Sequence, residues 1–210
     1  MPGAAWRPSH ARRIHPVTDP KPVRPPSSAL NRLSERPPST DRYMDSGEFA
    51  RGGMGSIREV WDEDLRRTLA MKVLLEASEA GSGAGSEADD RRRTARFLDE
   101  AQVTAQLEHP AIIPVHELGL DANGQLYFTM PLVDGDDLAE VWRKVHAEED
   151  GWTLTRALSA LLKVCEAMAF AHARGVVHRD LKPANIMVGA FGEVYVMDWG
   201  LARILDREDF

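Results

Sequence analysis

Between residues 178 and 200 the chain reads His178-Arg179-Asp180-Leu181-Lys182-Pro183-Ala184-Asn185 and then Asp198-Trp199-Gly200. Asp180, Lys182, Asn185 and Asp198 are polar groups set among apolar β-formers such as Val176-Val177, Ile186-Met187-Val188 and Val194–Val196. Isolated charges in such surroundings are costly unless they meet partners or ligands. Two carboxylates and an amide offer hard oxygens, which suit Mg²⁺, and an ammonium suits a phosphate. That set of groups points to phosphoryl transfer.

Two segments upstream supply complementary pieces. Ala50-Arg51-Gly52-Gly53-Met54-Gly55-Ser56-Ile57 is a glycine-rich turn that can lie close over an anion and present backbone N–H groups to it. Taken alone it is equally consistent with an ordinary hairpin. Fifteen residues past Ile57, Ala70-Met71-Lys72-Val73 places a lysine in an apolar strand, where its ammonium needs an anion. A lysine snorkelling from a strand edge is the alternative. Glu100 is the natural partner, because it lies on a helix with Val103 and Leu107 on the neighbouring face. Glu108 at the helix end and Glu76 beside a loop are less well placed.

In type, order and spacing these segments resemble the protein-kinase superfamily, and in particular the bacterial Ser/Thr kinases of eukaryotic type. The resemblance rests on Ala50–Ile57, Ala70–Val73, His178–Asn185 and Asp198–Gly200, with Glu100 ten residues before Pro110 of the His109-Pro110 pair. It implies an α+β, bilobal fold: a complete N-lobe of five antiparallel strands plus one helix, and the first part of a helical C-lobe. It implies ATP and Mg²⁺ as cofactors and Ser/Thr-bearing proteins as substrates. Asp180 would orient the substrate hydroxyl as base, and Lys182 would steady the transferring phosphoryl group. Lys72, paired with Glu100, would hold phosphate, and Asn185 and Asp198 would hold Mg²⁺. The ATP site would comprise Ala50, Gly52, Gly53, Gly55, Ile57, Ala70, Lys72, Met130, Pro131, Val133 and Met187. Met130 would stand behind the adenine. Pro131 would offer only its carbonyl, which proline retains, and Val133 its N–H. Ile57, Ala70 and Met187 would sandwich the ring.

The chain departs from the family pattern in two places. Ala50 stands where the first loop glycine is expected, tolerable if its φ is negative. Trp199 replaces a phenylalanine; the larger indole is expected to fill the same apolar slot beneath the helix bearing Glu100, and to resist leaving it. The sequence stops ten residues after Gly200, before any A-P-E element. The expectation is therefore of exposed apolar surface on the long helix and around Val176-Val177, poor solubility and little transfer to protein. Two other readings compete: an ATP- or partner-binding fragment that has lost catalysis, and a small-molecule kinase of related fold, which usually lacks the R-D-L-K-P run.

The elements that must position these groups follow from pattern. Ser56–Trp61 and Thr68–Leu75 read as strands joined at Asp62-Glu63-Asp64, and Val115–Leu118 and Gln125–Met130 as two more around Asp121–Gly124. Residues 77–90 read as a loop. Helices are expected over 92–107, stopped by Pro110, from Gly135-Asp136 to about Glu149, and over 154–174, closed by Gly175. Leu158, Leu161, Leu162, Cys165, Met168 and Ala169 form the expected buried stripe of the last helix, with Cys165 an inert core thiol. Glu193–Met197 reads as a final strand.

Composition sets the outer bounds. Net charge is −7, but residues 1–40 carry seven Lys/Arg against Asp19 and Glu35, so the body holds −12 and is no general nucleic-acid binder. Nine of the thirteen prolines fall in residues 1–40, a segment too poor in large apolar residues to offset its ordering entropy. Residues 1–42 thus read as a disordered tail, at most offering a proline-recognition partner a ligand. Residues 43–133 form the expected N-lobe and hinge, and residues 134–210 the partial C-lobe. One cysteine, no apolar h-region and no bilayer-length apolar run fit a cytoplasmic protein.

Overall fold

The computed structural model describes residues 42–51, 55–75 and 87–205. The tail before Arg42, Gly52-Gly53-Met54 and most of the expected 77–90 loop lie outside the described residues.

Five strands make one antiparallel sheet: β1 (Tyr43–Arg51), β2 (Gly55–Asp62), β3 (Arg67–Leu74), β4 (Glu117–Leu120) and β5 (Leu126–Pro131). They lie in the order β1-β2-β3-β5-β4. Alternation of side chains puts Ile57, Lys72 and Phe128 on one face, in direct register across β2, β3 and β5. The helix α1 (Glu87–Gln106) covers that face with Phe97, Leu98 and Ala101, which pack with Ala70, Phe128 and Met130. α1 begins five residues earlier than its apolar periodicity suggests, because Glu87, Asp89 and Asp90 in its first turn favour the positive end of the helix dipole.

The second lobe begins with β6 (Gly135–Asp137), followed by α2 (Leu138–Ala147) and α3 (Leu154–Ala173). Gly135-Asp136 does not open a helix. It pairs with β8 (Ile186–Gly189), and Asp137 caps α2 by accepting the Glu140 N–H at 2.8 Å. β7 (Val176–Val177) pairs with β10 (Arg203–Ile204), and β8 also pairs with β9 (Val194–Val196). Pairing with β10 leaves Val176 buried, contrary to the exposure expected there. Gly175 follows α3 at φ +71°, the left-handed turn a helix end needs.

The α3 stripe is corrected. The buried face is Ala157, Ala160, Val164, Ala167, Met168 and Ala171. Leu158, Leu161, Leu162, Cys165 and Ala169 are exposed, so Cys165 is not a core thiol. Small residues let α3 approach β7 and β9 closely, and that close contact outweighs the greater hydrophobicity of leucine. The long helix does present apolar side chains outward, as expected. Among the described residues no helix is long and apolar enough to cross a membrane.

Arg42 fixes the start of the sheet. Its Nε and Nη2 donate to both oxygens of buried Asp62, each at 2.9 Å, and its Nη1 to Glu117 at 3.2 Å. Asp62 also accepts the N–H groups of Asp64 and Leu65 in the β2–β3 turn. The Arg42 fork holds the Asp62 carboxyl below the usual carboxylate range. A lowered carboxyl pKa adds stability above the unfolded value, about 3.9, and that stability drains as pH falls through the folded value. Asp62→Asn should therefore cost about 2–4 kcal/mol at neutral pH. In thermal melts the gap to the parent chain should shrink below about pH 4; a constant gap would contradict this role.

Candidate active site

β3 and α1 bring the first pair together. Lys72 Nζ donates to Glu100 Oε1 at 2.5 Å, with the two side chains only 13% and 4% exposed. Burial pushes the Glu100 carboxyl above its ordinary value, and the Lys72 charge pulls it back. Lys72 also reaches Asp198 Oδ1 at 3.9 Å, so its ammonium faces the second lobe rather than away from it. Glu108 is exposed and takes no part, while Glu76 lies outside the described residues.

The second lobe presents its groups on the turn between β7 and β8. His178 is buried: its Nε2 donates to the Met197 carbonyl at 2.9 Å, and its Nδ1 accepts the Asp180 N–H at 3.3 Å. Those partners fix the neutral tautomer with the proton on Nε2. The ring also contacts Trp199, with centroids 4.6 Å apart. His178 thereby ties the Asp180 backbone to the segment after β9 that carries Asp198. Sequence reading passed over this role; a histidine directly after a buried two-residue strand was the available signal.

Asp180 Oδ2 accepts from Lys182 Nζ at 2.8 Å and from Asn185 Nδ2 at 3.2 Å, while Asn185 Nδ2 also donates to the Asp180 carbonyl at 2.9 Å. The Lys182 hydrogen bond is the main reason the Asp180 carboxyl sits below its ordinary range. It is an ionised acceptor at neutral pH, as a group receiving or orienting a hydroxyl proton must be. The amide nitrogen of Asn185 is spent on Asp180, which leaves its Oδ1 as the atom that can take a ligand. Asp198 is 47% exposed, with Lys72 the nearby cation. These two hard oxygens fit a Mg²⁺ ion, which takes few protein ligands and leaves its other positions to water and phosphate.

Arg179 and Asp198 both adopt left-handed φ, +65° and +58°. Non-glycine residues there carry backbone strain of roughly 1–3 kcal/mol each, which surrounding contacts must hold in place. Arg179 Nε donates to the Leu201 carbonyl at 2.6 Å. Trp199 is 1% exposed and packs in the core with Val103 of α1, Leu107 and Val196. Its Nε1 donates to the Val196 carbonyl at 3.4 Å. The indole thus occupies the apolar slot expected for it.

The groups expected around adenine are partly assembled. Ala70 and Met130 pair directly across β3 and β5 and share one buried cluster, with Ile57 and Val133 packed against it. Pro131 pairs with Leu69 at the end of β5. Met187 is half-buried on β8, in register with Asp137 and Tyr195, and is not part of that cluster. Ala50 lies on β1 opposite Ile57 and is not among the residues with positive φ, so its methyl is accommodated. A Cβ on Gly55 would come within 2.7 Å of the Val73 carbonyl, so only glycine fits there. Gly52 and Gly53 lie outside the described residues.

Comparison with known proteins agrees with this arrangement. Residues 43–210 match the protein kinase domain family. A serine/threonine-protein kinase PknD of Protochlamydia amoebophila is 35% identical over 188 residues, covering 86% of this chain and 18% of that protein. PknD proteins of Chlamydia muridarum and Chlamydia caviae are 36% and 34% identical, covering 73% and 80% of this chain. The chain therefore spans less than a fifth of the length of these relatives. The match across residues 43–210, together with the Lys72–Glu100 pair facing Asp198, places the chain in the protein kinase domain family.

Proposed function

We propose that this chain carries the ATP-binding and catalytic groups of a serine/threonine protein kinase. The observation that carries the reading is the convergence of Lys72, held by buried Glu100, on Asp198, which the second lobe supplies. Residues 43–133 form the nucleotide-binding lobe and hinge in this reading, and residues 134–210 carry the catalytic turn. Lys72 binds phosphate oxygens of ATP. Asn185 and Asp198 hold Mg²⁺, which when bound neutralises phosphate charge. Asp180 accepts a hydrogen bond from the substrate hydroxyl and takes its proton, and Lys182 balances the charge of both Asp180 and the incoming phosphoryl group. Adenine enters between Ile57 and Ala70 on one side and Met187 on the other, with Met130 behind it. The names of the relatives and Lys182 two residues beyond Asp180 both support serine and threonine as acceptors.

The test is phosphoamino-acid analysis of a mixed protein acceptor incubated with the chain, Mg²⁺ and γ-labelled ATP. A low level of label on serine and threonine, absent without Mg²⁺, is the expected result. Label confined to tyrosine or to small alcohols would overturn the assignment. Thermal stabilisation by ATP without any transfer would favour a nucleotide-binding module instead.

A further inference from the structure

The phenylalanine that Trp199 replaces carries no polar atom. The indole carries one, and it is buried with the ring. A buried indole N–H needs an acceptor, so the position of that acceptor dictates how the ring sits. The acceptor is the Val196 carbonyl, 3.4 Å from Nε1 and three residues back along the chain. That carbonyl is itself fixed. It also accepts the Ile113 N–H at 3.2 Å, and the Val196 N–H donates to the Ala111 carbonyl at 2.8 Å, so β9 is tied to the segment that follows α1. Turning the indole out of its slot would strip the donor of this partner, a penalty that phenylalanine would not meet.

Asp198 lies inside this fastened stretch with a φ of +58°, which a non-glycine residue keeps only where its surroundings hold it. On one side of it, the Met197 N–H donates to the Asn185 carbonyl at 2.8 Å and the Met197 carbonyl accepts from His178. On the other side, Trp199 is held by Val196 and by its ring contact with His178, and its own carbonyl accepts the Ala202 N–H at 2.9 Å. We propose that Trp199 is a positioning residue for the metal-binding carboxylate: the bond from its indole N–H to Val196 holds the turn at Asp198 and keeps that carboxylate facing Lys72. The proposal rests on the reading of Asp198 as a Mg²⁺ ligand. The indole acts through the backbone and touches neither nucleotide nor metal. The segment therefore stands in its metal-binding arrangement before ATP arrives, and binding energy is not spent on bringing the carboxylate in.

The test compares the full 210-residue chain with Trp199→Phe and Val103→Ala, reading the Mg²⁺ half-saturation of ATP binding by calorimetry. Trp199→Phe removes the N–H and leaves an aromatic ring in the slot. Val103→Ala thins the packing around the indole and leaves the N–H in place. Both should lower the melting temperature. Only Trp199→Phe should raise the Mg²⁺ half-saturation, by about tenfold, with ATP affinity in the absence of Mg²⁺ unchanged. The indole ¹H–¹⁵N resonance of Trp199, assigned by its loss in Trp199→Phe, should be single and protected from solvent exchange. An equal rise in the two variants would reduce Trp199 to packing and overturn the proposal, as would a fast-exchanging indole. Asp198→Asn separates the remaining failures. If it abolishes the Mg²⁺ dependence while Trp199→Phe keeps that of the parent, the positioning role alone falls. If Asp198→Asn also keeps it, the metal reading falls and takes the positioning role with it.

Discussion

Asp180→Asn should lower kcat for phosphoryl transfer by about 10²- to 10⁴-fold while leaving the affinity for ATP within about twofold. The substitution removes the ionised acceptor that Lys182 keeps below its ordinary pKa, and it leaves Lys72, Glu100 and Asp198 untouched. An amide of the same shape still lets Asn185 reach the Asp180 backbone carbonyl, so the turn between β7 and β8 should keep its conformation. A KM-against-kcat comparison at saturating Mg²⁺ separates the two effects. A variant that retains the parent kcat would remove Asp180 from the proton-transfer role.

Lys72→Met should reduce kcat/KM by about 10²- to 10³-fold, the loss expected when a preorganised phosphate contact is removed. It should also damage the fold, for a reason visible in the pair itself. Glu100 is 4% exposed and Lys72 is the cation that holds its charge. Without Lys72, burial and the Asp198 charge act on the carboxyl unopposed and its folded pKa rises further. An acid whose folded pKa is raised is stable when protonated. The penalty of the variant should therefore be small near pH 4, grow as pH climbs through the unfolded value of about 4.3, and level off above the folded one. Melting curves at several pH values read this directly. The double variant Lys72→Met/Glu100→Gln should recover much of the stability at neutral pH and none of the activity. Recovery of both would mean that Lys72 serves only to neutralise Glu100.

Much of this site was legible in the sequence because the chemistry forces polar residues into apolar strands. Lys72 among Ala70, Met71 and Val73 stood out for that reason, and its partner was legible because Glu100 interrupts an apolar helix face. Asp180, Asn185 and Asp198 were recognisable through their spacing. What spacing could not convey is how they are joined. His178 reaches Met197, 19 residues on, with one ring nitrogen and holds the Asp180 N–H with the other, and the left-handed turns at Arg179 and Asp198 are properties of the packed chain.

The misreadings had a common origin. Ranking side chains by hydrophobicity put Leu158, Leu161, Leu162 and Cys165 inside α3, whereas the contact with β7 and β9 selects alanines for their size. Gly135-Asp136 looked like a helix start, but the pairing partner that makes it a strand lies fifty residues later in β8.

The most direct measurement is calorimetric titration of ATP into the parent chain and an Asp198→Asn variant, with and without Mg²⁺. If Asp198 and Asn185 hold the metal beside the phosphates that Lys72 binds, the parent should bind one ATP more tightly with Mg²⁺, and the variant should lose that difference. Equal Mg²⁺ dependence in the two chains would contradict the assigned site.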